Sequence, residues 1–302
     1  MKRSRLLKKI KNSFIYYFVV IFKFLVNIIP RSAAILIGGG IGRFLFMIYQ
    51  SEKSRAFDSL QMVYGDTLTK NEKIDIVCNF FVNSGKNLID VLRFKKYYKK
   101  QIADLVTIEG REHFDQAYRR GKGIIAITGH IGNFELLAVW FANNGYNCAA
   151  IGREMYDRRL DRMLVDNRES MGIVNIDTKD SPKKVLKVLK DGYALGVLID
   201  TDSKRVKSEF IPAFGHLSRT PVGQSILGLK TGAAFIPMAC VRDGNGYKII
   251  IRPEIIPETS GNFDKDVYNI TQRCTEALDK IITEYKDQWI WIHNRWRSSP
   301  EN

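Results

Sequence analysis

Apolar residues dominate the chain first at positions 14–29, where only Lys23 and Asn27 are strongly polar and where Pro30 follows. As an α-helix, this stretch would extend about 24 Å at 1.5 Å per residue, less than the roughly 30 Å hydrocarbon core of a bilayer. A second, weaker apolar stretch covers residues 33–49 and is rich in glycine. The two stretches together predict a membrane anchor in which neither segment is a long, independent span.

Three structures are compatible with residues 14–29: a cleaved signal peptide, a spanning helix, or an anchor that lies partly in the membrane. The basic start and Ser32-Ala33-Ala34 imitate a signal peptide, but the apolar run is long and interrupted. The positive-inside rule places the first eleven residues in the cytoplasm. We expect a re-entrant or interfacial anchor, or a span that returns through residues 33–49, because the chemistry inferred below is cytoplasmic.

After the anchor, the hydrophobic pattern changes to that of a folded α/β domain. Helical spacing of Leu60, Val63 and Tyr64 predicts helices over residues 51–95, with Asn71 as an N-cap. From residue 105, short apolar runs alternate with amphipathic stretches. The predicted strands are 123–128, 148–151, 173–176, 194–199, 234–241 and 247–251, with a hairpin turn at 243–246. The predicted helices are 134–143, 156–171, 182–190, 264–285 and one that starts at Thr220 and Pro221 and reaches Lys230.

This alternation predicts an α/β fold with a largely parallel sheet flanked by helices. We divide the chain into a basic leader and membrane anchor, residues 1–50, and a folded domain, residues 51–302. The 45% content of hydrophobic residues is sufficient for one buried core.

Charge and composition narrow the class of partner. The formal net charge of +15 favours an anionic partner, and one basic block directly precedes the apolar stretch, as expected of a contact with acidic lipid headgroups. The alternative is a set of solvated surface charges. The four cysteines and four histidines have no metal-ligand spacing, so we predict no metal and no cofactor. No signature of a nucleic-acid-binding module is present.

The segment Thr128-Gly-His-Ile-Gly-Asn-Phe-Glu135 carries the clearest chemical signal, because a buried strand leads directly into a histidine and then a helix. Reactive groups of α/β proteins collect at the carboxyl ends of strands. If the helix begins near Asn133, the loop can fold His130 back so that Glu135 hydrogen-bonds one ring nitrogen and makes the other more basic. Without a nucleophile elbow, this pair suits direct acyl transfer, with His130 as general base. The alternative is a structural histidine beside a surface glutamate.

Several segments, taken in order, resemble the lipid A late acyltransferase family, which comprises lauroyl and myristoyl transferases and includes the mycobacterial phosphatidylinositol mannoside acyltransferases. The first is the HxxxxE arrangement itself, spelled HIGNFE. The others are Arg55–Leu60 (RAFDSL), Gly152-Arg153 with Asp161–Leu164 and Arg168, Ala194–Asp202 (ALGVLIDTD), Phe210–Gly215 (FIPAFG) with Thr220-Pro221, and Gln288–Trp296 (QWIWIHNRW). Together these segments are far more specific than the first motif alone.

The resemblance implies a glycerol-3-phosphate-acyltransferase-like fold at the cytoplasmic face of the inner membrane. It implies transfer of a fatty acyl chain from a thioester on acyl carrier protein to a hydroxyl of a lipid A precursor; the alternative acceptor is another glycolipid or a lysophospholipid. By position, His130 is the general base and Glu135 its partner. The residues expected to contact substrate are Asn133, Arg153, Arg168, Asp200, Asp202 and Arg219. The family's Arg-Pro-Pro-Lys-like run is absent, and Gly152–Tyr156 stands in its place, so the acceptor headgroup stays open.

Other residues have two interpretations. Asp200 and Asp202 could bind a metal or cap turns. Arg219 at a predicted helix start could bind phosphate or be a surface charge. The tryptophans could lie at the lipid interface or in the core; they are Trp289, Trp291 and Trp296. We interpret His216 and His293 as structural.

Overall fold

The computed structural model describes residues 2–96, 104–180, 182–204 and 206–298. The helices are α1 (Lys2–Ile28), α2 (Arg31–Ile48), α3 (Gln50–Tyr64), α4 (Lys70–Leu92), α5 (Arg111–Arg119), α6 (Phe134–Asn143), α7 (Arg158–Glu169), α8 (Pro182–Lys190), α9 (Gly223–Thr231) and α10 (Phe263–Glu284). The strands are β1 (Val106–Glu109), β2 (Ile124–Thr128), β3 (Cys148–Gly152), β4 (Ile173–Asp177), β5 (Ala194–Leu198), β6 (Ser208–Ala213), β7 (His216–Pro221), β8 (Ala234–Asp243) and β9 (Gly246–Ile251).

Seven strands form one sheet in the order β1-β9-β8-β2-β5-β3-β4, and β6 pairs with β7 in a separate hairpin. All neighbours in the large sheet are parallel except β8 and β9, which form the antiparallel hairpin predicted around residues 243–246. The prediction of a largely parallel sheet flanked by helices is therefore confirmed. The central position of β2 buries all five of its residues, as expected of a strand covered on both faces.

The two faces of β2 belong to different halves of the core. Ile125 and Ile127 pack in the cluster that contains α10, whereas Ile124 and Ala126 pack in the cluster that contains α6. This separation follows from the two-residue period of a strand. Thr128 therefore lies on the same face as Ala126, above α6.

Several element boundaries differ from the predicted ones. Thr69, not Asn71, caps α4, because its hydroxyl oxygen accepts from the Glu72 amide while the Glu72 carboxylate accepts from the Thr69 amide. Thr220 and Pro221 do not begin a helix: they end β7, and α9 starts at Gly223. Hydrophobic periodicity did not predict β1, α5 or the β6–β7 hairpin, because these elements are too short to show a clear spacing of apolar residues.

The N-terminal helices have different surroundings. In α1, the segment Ile10–Ile28 is apolar and almost entirely uncovered by protein, whereas α2 has one face packed against α4. Glycines allow this close packing, since a Cβ at Gly42 would lie 2.2 Å from the Phe81 carbonyl oxygen, and one at Gly85 would lie 2.1 Å from the Gly38 carbonyl oxygen. Both helices are long and apolar enough to cross a membrane. Their exposed apolar side chains include Phe14, Tyr17, Phe18, Ile21, Phe24 and Leu25 on α1, and Leu36, Ile37, Ile41, Phe44 and Met47 on α2.

A buried polar cluster joins the start of α2 to α4 and to the β8–β9 hairpin. The Asp90 carboxylate on α4 accepts two hydrogen bonds from Arg31, at 3.0 and 2.9 Å, one from Arg242 at 2.9 Å and one from the Tyr247 hydroxyl at 2.7 Å. Asn87, one turn earlier, accepts from Arg242 and donates to the Gly132 carbonyl oxygen at 2.9 Å. Burial would raise the pKa of Asp90, but the hydrogen bonds and charges of these partners lower it below its ordinary value.

Candidate active site

The carboxyl ends of β2 and β5 bring His130 and Asp200 together. The two strands are adjacent and parallel, with Thr128 opposite Leu198, so the residues two positions further along each chain segment lie side by side. The Nδ1 atom of His130 lies 2.8 Å from Oδ1 of Asp200, and the His130 backbone amide donates to Oδ2 at 2.6 Å. The site therefore forms at the strand ends where reactive groups are expected.

Asp200 is 2% exposed and is held by three donors, because the Trp289 indole N–H also donates to Oδ2 at 2.8 Å. Burial would raise the pKa of Asp200, but the nearby His130 and these hydrogen bonds hold it well below its usual range. Burial likewise opposes protonation of His130, yet the Asp200 charge and hydrogen bond outweigh it and raise the pKa of His130 above its ordinary value. An ionised Asp200 that accepts from Nδ1 leaves Nε2 of His130 as the free basic nitrogen.

Glu135 forms no hydrogen bond or ion pair with the His130 ring in the described structure, which corrects the hydrogen bond predicted from the sequence. Its carboxylate forms a two-point ion pair with Arg168 of α7, with Arg168 Nε donating to Oε2 at 3.0 Å and Nη2 to Oε1 at 2.5 Å. Arg168 also donates to the Asn175 side chain at 2.8 Å. Since Glu135 is the second residue of α6, its side chain points toward α7, whereas His130 is turned toward β5.

An apolar cavity lies between α6 and the sheet and is partly open to solvent. Its walls come from α6, β3 and β5, and Thr128, Phe134 and the Glu135–Arg168 pair also line it. The Phe134 ring meets the His130 imidazole edge to face, with centroids 5.4 Å apart. His130 therefore lies next to a cavity whose apolar lining suits a hydrocarbon chain.

The segment after α10 forms the other side of the site. Ile290 donates from its backbone amide to the His130 carbonyl oxygen, and the Gly132 amide donates to that of Gln288. The His293 ring lies nearly parallel to that of His130, with centroids 6.0 Å apart. Its Nδ1 is buried and has no partner among the residues that the structure describes. Burial lowers the pKa of His293, so this second imidazole is neutral near pH 7.

The remaining predicted site residues have distinct positions. Asn133 caps α6, with its side-chain oxygen accepting from the Leu136 amide at 3.1 Å, and it is 2% exposed. Asp202 is bonded to Ser298 and anchors the C-terminal segment. Arg153 is exposed in the loop after β3, and Arg219 lies on β7 with a buried Nε that has no partner in the described part of the chain. Trp289 and Trp291 are fully buried, so they are core residues and do not lie at a lipid interface.

In the described ranges, no three His, Cys, Asp or Glu side chains are grouped so that they could hold a metal ion. Asp200 is engaged by His130 and Trp289, and Asp202 by the C-terminal segment. Sequence reasoning missed Asp200 as the partner of His130, and Trp289 and His293 as its neighbours. The signal that could have found Asp200 is its place directly after a buried strand, because such ends converge in a parallel sheet.

Gly129 separates the strand from His130, and a side chain there would disturb the pair. A Cβ at this position would lie 2.7 Å from Asp200 Oδ2 and 3.0 Å from its Cγ. We expect Gly129→Ala to lower kcat roughly 10–100-fold, because a shift of the order of 1 Å in a catalytic group has effects of this size. Gly223→Ala, where a Cβ meets nothing within 4 Å, is the matched control for steady-state kinetics and should retain activity. An active, well-folded Gly129→Ala enzyme would contradict the tight placement of Asp200.

The chain is similar in sequence to known acyltransferases. A family model described as bacterial lipid A biosynthesis acyltransferase matches residues 1–298. The lipid A biosynthesis lauroyltransferase of Escherichia coli (strain K12) is 26% identical over 281 residues, which cover 90% of this chain and 88% of that protein. The phosphatidylinositol mannoside acyltransferase of Mycobacterium tuberculosis (strain ATCC 25618 / H37Rv) is 24% identical over 227 residues, which cover 73% of this chain and 70% of the relative.

A third relative, the lipid A biosynthesis palmitoleoyltransferase of Escherichia coli (strain K12), is 20% identical over 281 residues that cover 90% of this chain and 87% of that protein. The family match extends over nearly the whole chain, and these relatives are acyltransferases of lipid A or glycolipid biosynthesis. The protein is thus an acyltransferase, and the chain belongs to the bacterial lipid A biosynthesis acyltransferase family.

Proposed function

We propose that this enzyme moves a fatty acyl chain from a thioester on acyl carrier protein to a hydroxyl of a lipid A precursor, with His130 as the general base and Asp200 as its partner. The observation that carries the proposal is the 2.8 Å contact between these two residues beside an apolar cavity. The cavity supplies a place for the acyl chain, and the imidazole supplies the base that a direct transfer requires.

In the proposed reaction, Asp200 holds the proton on Nδ1, so Nε2 of His130 takes the proton from the acceptor hydroxyl. The hydroxyl oxygen attacks the thioester carbonyl carbon, and the carbonyl electron pair moves onto its oxygen. When this pair returns, the carbon–sulfur bond breaks and the thiolate leaves, taking the proton from Nε2. His130 is suited to this exchange because its side chain is 28% exposed whereas Asp200 is enclosed.

Glu135 and Arg168 act at the cavity wall in this proposal. Their side chains are only 14% and 11% exposed, and each lines the cavity. A two-point carboxylate–guanidinium pair has fixed geometry. We infer that this pair closes the polar end of the acyl site and holds α7 against α6, so that the acyl chain enters beside Phe134.

We place the site at the cytoplasmic face of the inner membrane. The α1–α2 pair exposes a continuous series of large apolar side chains, and α2 is held on α4 of the catalytic domain by glycine contacts. Because one face of α2 is covered by protein, an interfacial or re-entrant position suits it better than a free span. The basic leader before residue 14 then lies against anionic headgroups, with residues 1–50 as anchor and 51–302 as the acyltransferase domain.

The test uses the purified full-length protein in detergent micelles. With acyl carrier protein loaded with a fatty acyl thioester and a phosphorylated glucosamine lipid precursor, we expect the acceptor to gain the mass of one acyl chain. The same donor chain on coenzyme A tests the choice of carrier. If no donor and acceptor combination in the panel gives an acylated product, the proposed function is wrong.

A phosphatidylinositol mannoside is the second candidate acceptor, and one observation favours including it. Relatives named phosphatidylinositol mannoside acyltransferase from Mycobacterium tuberculosis and Mycolicibacterium smegmatis are 24% and 27% identical to the aligned parts of this chain. The Gly152–Tyr156 segment, which replaces a basic run, lies at the start of the loop between β3 and α7. Product formed only with the mannoside would replace the lipid A precursor as acceptor and would leave the chemistry unchanged.

A further inference from the structure

Thr128 carries a buried hydroxyl that has no hydrogen-bond partner among the described residues. The residue is 4% exposed. The other buried threonines in the described part of the chain all have partners: the Thr220 hydroxyl is bonded to Ser218 and Arg295, that of Thr271 to Val267, and that of Thr275 to Thr271. A buried polar group without a partner is costly, so the Thr128 hydroxyl needs an explanation.

The strand places Thr128 at the wall of the cavity and close in sequence to His130. Thr128 is the last residue of β2, lies on the face that also carries Ala126, and lines the cavity next to α6. His130 follows two residues later. If the acyl chain lies in the cavity and His130 serves the acceptor, the thioester carbonyl must lie between them, at the end of β2.

The other polar side chains of the cavity form an ion pair or are weak donors. Glu135 and Arg168 are bonded to each other, and the third guanidinium nitrogen of Arg168 donates to Asn175. Cys148 also lines the cavity, but a thiol is a weak donor. Among the uncharged lining side chains, Thr128 therefore supplies the uncommitted strong donor.

We propose that Thr128 is a further catalytic residue, whose hydroxyl donates a hydrogen bond to the carbonyl oxygen of the acyl donor. This hydrogen bond becomes stronger as negative charge develops on that oxygen. This inference rests on the proposed function. No proton leaves Thr128; the hydroxyl stabilises the charge that appears on oxygen while His130 carries the proton. In a cavity with apolar walls such a donor has a large effect, because little solvent competes with it.

The decisive variant is Thr128→Val, which preserves the shape of the side chain and removes the hydroxyl. We expect kcat to fall roughly 10²–10³-fold, the usual effect of losing one oxyanion donor, with the KM for the donor changed little. The melting temperature should stay the same or rise, because the hydroxyl that is lost has no partner among the described residues. Thr128→Ser keeps the donor and should retain most of the activity.

Thr275→Val is the matched control. It removes an equally buried hydroxyl, one that donates to the Thr271 carbonyl oxygen at 2.9 Å within α10, so it should lower the melting temperature and leave kcat unchanged. A second readout uses a thioether analogue of the donor, which lacks the carbonyl oxygen. The Thr128→Val enzyme should bind this analogue as tightly as the wild type does, whereas a damaged cavity would bind it more weakly.

The outcomes separate this inference from the function on which it rests. A kcat of Thr128→Val within threefold of the wild-type value overturns the role of Thr128. An equal loss of kcat in Thr128→Val and Thr128→Ser also overturns it, because it would indicate that the side chain acts through packing and not through its hydroxyl. If Thr128→Val does not fold, wild-type-like kcat in Thr128→Ala overturns the role instead. Absence of acyl transfer by the wild type would contradict the proposed function itself.

Discussion

His130→Ala and Asp200→Asn are each expected to lower the rate of acyl transfer by roughly 10³–10⁴-fold. The first variant removes the base. The second removes the negative charge and replaces one of the two carboxylate oxygens, which accept from Nδ1 and from the backbone amide of His130, by an NH2 group that cannot accept. Single-turnover kinetics with a labelled acyl donor measure the loss without interference from product release. Because the two residues act as one unit, the double variant should be no slower than the slower single variant.

Glu135→Gln is the matched control, since it changes the other carboxylate near His130. Because Glu135 is paired with Arg168, we expect Glu135→Gln to lower the rate of acyl transfer less than Asp200→Asn does. Arg168→Gln should lower the rate about as much as Glu135→Gln. If instead Glu135→Gln is as slow as His130→Ala while Asp200→Asn stays active, the carboxylate that serves the base is Glu135 and the dyad described above is wrong.

The same pair determines the pH dependence. The base must be neutral, and the pKa of His130 is raised by Asp200, so activity should fall on acidification at a pH above the ordinary histidine value of about 6.5. In Asp200→Asn, the residual activity should persist to lower pH, because the charge that favours protonation is gone. For stability the sign is opposite: the raised pKa stabilises the fold below the unfolded-state pKa, and this contribution is lost as pH rises through the folded value. Profiles of kcat/KM against pH test the shift.

Asp90→Asn should be the most destabilising single change in the polar cluster at the start of α2, with an expected loss of about 3–5 kcal/mol in the free energy of unfolding. Asp90 is 1% exposed and faces two guanidinium groups, of Arg31 and Arg242, together with the Tyr247 hydroxyl. Replacing its charge leaves the buried Arg242, whose side chain is 4% exposed, without its counter-ion. Denaturant titration of the detergent-solubilised protein measures the change.

Asp166→Asn provides the comparison, because it breaks an exposed pair with Arg162 in which the two side chains are 44% and 73% exposed. The free energy of unfolding of this variant should fall by less than about 1 kcal/mol. The pKa of Asp90 is lowered in the fold, so its contribution is present above the unfolded-state pKa and disappears as pH falls through the folded value. Equal stability of the Asp90 and Asp166 variants would contradict the importance of the buried cluster.

The cluster also connects the anchor to the catalytic loop. Arg31 begins α2, and Asn87, which shares Arg242 with Asp90, donates to the Gly132 carbonyl oxygen in the loop after His130. A loss of Asp90 should therefore reduce activity in vesicles as well as stability. None of these contacts could be read from the sequence, because they join residues separated by more than forty positions along the chain.

The amino-acid sequence by itself determined the elements whose periodicity is long or whose apolar run is unbroken. The helix 134–143, the helix 182–190 and the buried strand before His130 follow directly from hydrophobic spacing, and so does the largely parallel sheet. The motif around His130 and the ordered segments after it also sufficed for the family. These features are local, so neighbouring residues specify them.

The tertiary structure decided which residues meet. Strand β5 lies beside β2 although β3 and β4 come between them in the chain, and only that order sets Asp200 against His130. Glu135, five positions from His130, is nearer in sequence but is turned toward Arg168 by the start of α6. That the Thr128 hydroxyl has no partner in the described part of the chain is likewise a tertiary property, because it depends on which residues surround the end of β2. Side-chain partners across a sheet depend on strand order, and a one-dimensional pattern does not contain that order.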